Sequence, residues 1–124
     1  MSKRILYIED NPENRMLIRR VLEAEGYTLI EAEDGAAGLR VAAESQPDLI
    51  LMDINLPELD GYEVTARLKN LPGLTQVPII AVTANVMKGD REKTLAAGCD
   101  GYIQKPIDID LLPVQIERFL RRSA

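Results

Sequence analysis

The sequence has 124 residues, of which 46% are hydrophobic and 28% charged, a balance typical of a globular domain with its own core. Its formal net charge of −5 argues against nucleic acid as a direct partner, because phosphate binding requires clustered positive charge. No apolar run is long enough for a membrane span or a signal peptide, and the single cysteine, Cys99, implies a reducing compartment, so we expect one cytoplasmic domain over residues 1–124.

Strand-like and helix-like segments alternate five times, a pattern typical of a doubly wound α/β sheet. Short aliphatic runs predict buried parallel strands at residues 4–8, 28–32, 48–52, 78–82 and 101–104. Apolar residues at helical spacing predict five helices. The first two cover about 12–25 and 35–45, and the third passes through Val64, Leu68 and Leu71. The fourth covers about 87–97, and the last passes through Leu112, Ile116, Phe119 and Leu120.

Capping residues predict where several helices begin and end. Asn11-Pro12 supplies an N-cap and a first-turn proline, and Gly26 a C-terminal stop. Because Pro113 would disrupt a helix already begun at Asp108, we expect Asp110 to be the N-cap of the last helix, with Pro113 in its first turn. On the first helix the predicted apolar face contains Leu17, Val21 and Ala24, with Ile18 and Leu22 beside them.

Acidic residues close two of the predicted strands. Glu9-Asp10 follows the first strand and Asp53 follows the third. If these strands are neighbours, three carboxylates converge at the carboxyl end of the sheet, where open α/β proteins bind ligands. Such carboxylates repel one another unless a cation or a hydrogen-bonding network lies between them. The pattern therefore predicts a site for Mg²⁺, which prefers hard oxygen ligands.

Three more polar or small residues follow the fourth and fifth strands: Thr83, Ala84 and Lys105. An ionised Asp53 could attack phosphorus and form an aspartyl phosphate. Phosphoryl transfer depends mainly on positioning and charge neutralisation. In that chemistry Lys105 would supply a cation and Thr83 a hydroxyl donor, while Ala84 is too small to block the phosphoryl group.

Taken singly, these residues have ordinary structural interpretations. Asp53 could be a surface acid that ends a strand, and Lys105 before Pro106 a solvated loop lysine. Thr83 could cap the helix that follows it, and Tyr102 could be a packing residue. Their joint placement at strand ends favours the functional interpretation.

In order along the chain, these motifs resemble those of the receiver domain of two-component response regulators. The resemblance covers nearly the whole chain and rests on Ile8-Glu9-Asp10-Asn11, on Met52-Asp53-Ile54-Asn55-Leu56-Pro57 with Asp60-Gly61, on Val82-Thr83-Ala84 and on Lys105-Pro106-Ile107. It implies a flavodoxin-like α/β fold, with five parallel strands in the order 2-1-3-4-5 and five helices.

The resemblance also implies a metal site. Asp53 would be the phosphoacceptor, and Asp10 and Asp53 would bind Mg²⁺ or Mn²⁺ directly. The backbone carbonyl of Asn55 would be a further ligand, and Glu9 would act through a coordinated water. The side chains of Asn55 and Asn85 would flank the phosphoryl group and tune its hydrolysis.

The phosphoryl group would have its own set of contacts. Lys105 and Thr83 would bind its oxygens, together with the backbone amides of Ile54 and Ala84. Tyr102 matches the switch aromatic of the family, which turns inward as the threonine moves.

The implied function is that of a signalling phosphoacceptor rather than an enzyme. The chain contains no histidine, so a histidine kinase or a histidine phosphotransfer protein would supply the phosphoryl group. Output would pass to a protein partner through the face formed by helix four, strand five and helix five, because we expect no residues to remain for another output module.

Three alternatives come from other classes of protein. A degenerate receiver that serves as a docking module would normally lack Asp53, Lys105 or an acid. A phosphatase of the haloacid dehalogenase type would carry a second acid where this chain has Asn55. A flavin-binding electron carrier would need a phosphate-binding loop after the first strand, where this chain has the acidic run 9–13.

Overall fold

The computed structural model describes residues 2–54, 56, 60–84 and 88–122. Within these ranges, five strands alternate with five helices: β1 (Arg4–Ile8), α1 (Pro12–Ala24), β2 (Thr28–Ala32), α2 (Gly35–Ser45), β3 (Leu49–Asp53), α3 (Gly61–Lys69), β4 (Ile79–Thr83), α4 (Lys88–Ala96), β5 (Gly101–Gln104) and α5 (Leu112–Arg122). Three predicted strands have the observed bounds, and β3 and β4 lie one residue further along the chain than predicted. In the part of the chain described, no helix combines the length and apolar character of a membrane span.

The five strands form one parallel sheet in the order β2-β1-β3-β4-β5, as the family resemblance implied. Strand β1 pairs with β2 on one side and with β3, the central strand, on the other, so that Ile5 lies opposite both Leu29 and Leu49. Since parallel strands end at the same edge, the carboxyl ends of β1 and β3 bring Glu9 and Asp53 together.

Two apolar clusters cover the two faces of the sheet, because successive strand side chains point to opposite sides. On one face, strand residues such as Leu6 and Ile50 pack with Val64 and Leu68 of α3. The cluster on the other face contains Ile5, Tyr7, Leu49, Leu51, Ile18, Leu22, Leu112 and Ile116. Burial on both faces explains why the strand sequences are apolar without alternation.

Asn11 caps α1 as predicted. Its Oδ1 accepts hydrogen bonds from the backbone N–H groups of Glu13 at 2.8 Å and Asn14 at 3.2 Å. After α1, Gly26 has φ of +91°, a left-handed conformation that glycine adopts without steric cost.

The predicted cap of the last helix is wrong. Asp108, and not Asp110, supplies the capping carboxylate, whose Oδ1 accepts from the backbone N–H groups of Asp110 at 2.9 Å and Leu111 at 3.3 Å. The turn that Asp108 caps leads directly into α5, which begins at Leu112. Pro113 is therefore in the first turn, as predicted, where its missing N–H is not needed.

The buried face of α1 is narrower than the predicted one. Ile18 and Leu22 are buried, whereas Leu17 is 44% exposed and Ala24 is also exposed. The sheet therefore contacts the stripe centred on Ile18 and Leu22. Leu71, predicted within the third helix, follows the end of α3 and packs against the core from there.

Replacing Gly61 by alanine should destabilise the fold. A Cβ at this position would lie 2.8 Å from the Cα of Ile54 and 3.2 Å from the carbonyl oxygen of Asp53, so backbone would have to move. We expect the free energy of unfolding of Gly61→Ala to fall by about 1–3 kcal/mol, the usual cost of overpacking. Urea denaturation measures this loss, and an unchanged or higher midpoint would contradict the close approach of α3 to the end of β3.

Candidate phosphoacceptor and metal site

The carboxyl ends of β1 and β3 bring three acids together. One carboxylate oxygen from each of Glu9, Asp10 and Asp53 lies within 4.8 Å of the others. Glu9 is 1% exposed and Asp53 is 2% exposed, while Asp10 faces solvent. Carboxylates that are so close and so poorly hydrated require a compensating cation.

Lys105 supplies part of that compensation. Its Nζ lies 3.2 Å from Oε1 of Glu9 and 3.2 Å from Oδ2 of Asp53. Burial opposes the charged form of Lys105, but the charges of Asp53 and Glu9 outweigh it and raise the pKa of the ammonium group. One lysine facing three carboxylates leaves an excess of negative charge, and the oxygen donor set suits Mg²⁺.

Glu9 is also bonded by two neutral donors. Its Oε1 accepts hydrogen bonds from the Tyr7 hydroxyl at 3.2 Å and from Nδ2 of Asn14 at 3.0 Å. Burial opposes ionisation of Glu9, but the hydrogen bond from Asn14 and the positive charge of Lys105 favour the carboxylate, and the pKa of Glu9 is lowered from its usual value. Burial, and then the charge of Glu9, raise the pKa of Tyr7, so the hydroxyl remains a donor at neutral pH.

Tyr7 and Asn14 are not among the site residues predicted from the sequence. One available signal is the period of a strand, which places Tyr7 two residues before Glu9 on the same side of β1. The other is the Asn11 cap, which places Asn14 in the first turn of α1. Neither signal distinguishes a functional contact from ordinary packing without the fold.

Thr83 follows Val82, which lies opposite Asp53 in the sheet, so both residues end their strands at the same edge. Thr83 is the buried last residue of β4, and its carbonyl accepts the N–H of Lys105 at 2.8 Å. The amide of Ile54, expected to face a phosphoryl group, instead donates to the carbonyl of Val82 at 3.1 Å. This amide continues the pairing of β3 with β4, so binding a phosphoryl oxygen would require it to turn from Val82.

Two further predicted residues are Ala84 and Tyr102. Ala84 is exposed beside Lys105. Tyr102 is partly buried and packs against the cluster that contains Leu6 and Val64. Asn55 and Asn85 lie outside the described residues.

A cavity of about 390 Å³ opens beside the acids, between α1 and the segment after β5. One wall carries Asn14, Leu17 and Ile18, and the other carries Lys105 and Ile107. Tyr7, Asn14 and Lys105, which donate hydrogen bonds to Glu9, all line this cavity.

A comparison with protein families agrees with this geometry. The family described as the response regulator receiver domain matches residues 5–117. The chain belongs to this family. The Brucella ovis polar-differentiation response regulator DivK is 46% identical over 120 residues, which cover 97% of this receiver domain and 98% of that protein.

Solved structures give the same fold. The receiver domain of a sensor histidine kinase from Pseudomonas aeruginosa, which has a magnesium ion coordinated in its active-site cleft, is 39% identical, with a TM-score of 0.88 and coverage of 98% of this chain and 99% of that one. The chemotaxis protein CheY4 of Vibrio cholerae has a TM-score of 0.92 at 24% identity, covers 96% and 99% of the two chains, and shows the fold alone. The acids of this receiver domain fit a magnesium site of the family.

Replacing Lys105 by methionine should destabilise the receiver domain when divalent cations are absent. The buried carboxylates of Glu9 and Asp53 would lose their ammonium partner. We expect a loss of about 1–3 kcal/mol in the free energy of unfolding in EDTA, the range for a buried polar group left without its partner. Urea denaturation with EDTA and with excess MgCl₂ measures the loss, and Mg²⁺ should recover most of it by neutralising the same acids.

The matched control for this variant is Lys93→Met. Lys93 is exposed on α4, and its replacement should change the free energy of unfolding by no more than about 0.5 kcal/mol. Equal losses in both variants, or a loss at Lys105 that Mg²⁺ leaves unchanged, would contradict the charge balance described above.

Proposed function

We propose that this receiver domain accepts a phosphoryl group on Asp53 from the phosphohistidine of a histidine kinase or a histidine phosphotransfer protein. The observation that carries the proposal is the buried Asp53 carboxylate beside Glu9, with the Lys105 ammonium 3.2 Å from both. Buried charges arranged in this way cost stability, which is understandable if they perform chemistry.

The transfer step is a substitution at phosphorus. A carboxylate oxygen of Asp53 forms a bond to phosphorus while the bond from phosphorus to the donor imidazole nitrogen breaks and its electron pair returns to the imidazole. Lys105 stabilises the negative charge on the phosphoryl oxygens. The amides of Ile54 and Ala84 would donate to the same oxygens once Ile54 turns from Val82.

Mg²⁺ or Mn²⁺ is the proposed cofactor. Asp10 and Asp53 would bind the ion directly with the carbonyl of Asn55, and Glu9 would act through a coordinated water. When bound, the ion neutralises the charge that develops on the phosphoryl oxygens. The clustered oxygens of the three described acids support this assignment.

Phosphorylation replaces the single negative charge of the Asp53 carboxylate by a phosphoryl group with a charge of about −1.5 to −2, and we propose that this change drives the signal. Lys105 and the Thr83 hydroxyl would be drawn to the phosphoryl group, and Tyr102 would turn inward. The two strands involved already share a contact, because the carbonyl of Thr83 holds the N–H of Lys105. The change would then reach a protein partner at the face formed by α4, β5 and α5.

The proposal treats residues 1–124 as one receiver domain that acts as a signalling phosphoacceptor and not as an enzyme. The five strands, which belong to a single sheet, support one folding unit. A cytoplasmic location agrees with the free thiol of Cys99, which a reducing compartment preserves. Its partners would be proteins and neither nucleic acid nor a membrane.

Asp53→Asn should abolish phosphoryl uptake. The amide is nearly isosteric but cannot form the acyl phosphate, so the fold should remain while the acceptor oxygen is lost. Intact mass spectrometry after incubation with acetyl phosphate should show one added phosphoryl group on the wild-type chain with MgCl₂, and none with EDTA or on the variant.

The matched control is Asp110→Asn, an exposed acid before α5, which should be phosphorylated like the wild type. Phosphorylation of Asp53→Asn to the wild-type level would show that Asp53 is not the acceptor. If the wild type shows no adduct, beryllofluoride, which mimics the phosphoryl group without hydrolysing, replaces acetyl phosphate. Absence of Mg²⁺-dependent binding then supports the docking-module alternative.

The cavity beside Lys105 suggests how the donor approaches. Leu17 is 44% exposed on its rim although it is apolar, and it lies across the cavity from Ile107. An exposed leucine beside a reactive site is a suitable contact for the apolar face of a donor helix. We place the phosphohistidine donor in this cavity.

Leu17→Ala should slow phosphoryl transfer from a phosphorylated histidine phosphotransfer protein by about five- to tenfold, because a buried anchor contact contributes about 1 kcal/mol or more. Transfer from acetyl phosphate, which needs no docking surface, should be unchanged. Leu95→Ala is the matched control, since Leu95 is an exposed leucine on α4. Equal rates for Leu17→Ala and the wild type with the protein donor would contradict this approach.

A further inference from the structure

Glu9 is held through its main chain as well as through its side chain. Its backbone N–H donates to the carbonyl of Ala32 in β2 at 3.0 Å. Its backbone carbonyl accepts from Nη1 of Arg15 on α1 at 2.7 Å. The main chain of Glu9 is therefore fixed from both sides, and only its side chain can still rotate.

Three donors meet on one oxygen of that side chain. Oε1 of Glu9 accepts from the Tyr7 hydroxyl at 3.2 Å, from Nδ2 of Asn14 at 3.0 Å and from Nζ of Lys105 at 3.2 Å. The donors differ in kind, because Lys105 is a flexible cation shared with Asp53, whereas Tyr7 and Asn14 are neutral and held by β1 and α1.

The Tyr7 hydroxyl is the less expected of the two neutral donors. Tyr7 is fully buried in the apolar cluster with Ile18 and Leu51, where phenylalanine would fill the same space. Burying a hydroxyl is costly unless it is hydrogen-bonded, and this hydroxyl donates to Glu9. The Tyr7 hydroxyl therefore lies at the edge of the apolar cluster as a hydrogen-bond donor to the Glu9 carboxylate.

In the proposed function, Lys105 does not remain bonded to Glu9 after Asp53 is phosphorylated. When Asp53 carries a phosphoryl group, the Lys105 ammonium is needed on its oxygens. Oε1 of Glu9 then depends on Tyr7 and Asn14 to keep its orientation. Groups that orient a metal-binding side chain in this way strongly affect metal affinity.

We infer that Tyr7 and Asn14 are positioning residues for the divalent-cation site, and that they hold the Glu9 carboxylate in its cation-binding orientation independently of Lys105. The inference rests on the proposed function in one respect, namely that the three acids bind Mg²⁺. It assigns to two residues outside the recognised motifs a role in setting the affinity for the ion.

The test is the Mg²⁺ dissociation constant of the full chain, measured from backbone NMR shifts during titration with MgCl₂. Tyr7→Phe and Asn14→Ala should each raise this constant about 10- to 100-fold, as expected for groups that orient metal ligands. The double variant should have a larger Mg²⁺ dissociation constant than either single variant. Tyr27→Phe and Asn70→Ala are matched controls away from the site, and their constants should remain within about twofold of the wild type.

A second measurement separates positioning from damage to the fold. If Tyr7 and Asn14 act through metal affinity, saturating MgCl₂ should restore the rate of phosphorylation by acetyl phosphate in both variants. A rate that stays low at saturating Mg²⁺ would indicate a structural defect and overturn the inference. Asn14→Ala alone carries the test if Tyr7→Phe does not fold, because Asn14 is only partly buried.

The remaining outcomes distinguish the inference from the proposed function. If the wild type binds Mg²⁺ and both variants bind it within twofold of the same affinity, the inference is wrong and the proposed function stands. If the wild type binds no Mg²⁺, the proposed metal-dependent function fails first and the inference fails with it.

Discussion

The structure depends on the repulsion among three carboxylates at one edge of the sheet. Glu9 and Asp53 are almost fully buried, and Asp10 is beside them at the surface. Such a group is stable only with a cation, and Lys105 supplies one positive charge where three negative charges meet. The deficit of positive charge makes the site receptive to a divalent ion. It also makes Lys105 responsive to any new negative charge on Asp53.

The parallel sheet brings the charged groups together, because all of its strands end at the same edge. β1 and β3 are neighbours, so their last residues meet, while β4 and β5 bring Thr83 and Lys105 to the same edge. The Thr83 carbonyl also holds the Lys105 backbone. We propose that a change in the position of Lys105 would pass along β4 and β5 to the side of the molecule that contacts the output partner.

Glu9 links this edge to the core beneath it. The Tyr7 hydroxyl joins an otherwise apolar cluster to the carboxylate, and Asn14 reaches the same oxygen from α1. Local signals in the sequence include the aliphatic strands, the Asn11 cap and the acids that close β1 and β3. These signals predicted the alternation of elements and the neighbourhood of Asp53, because each depends on only a few consecutive residues.

Other features depended on the packed fold. Asp108 and Asp110 both precede Pro113, and the prediction of Asp110 as the cap is wrong because the Asp108 side chain caps the turn that leads into α5. Periodicity did not show that Leu17 is exposed, because exposure depends on what lies across the cavity. The sequence by itself determined the elements and the chemical groups at their ends. Only the tertiary structure decided which donors meet on Oε1 of Glu9, because those contacts join side chains from β1, α1 and the segment after β5.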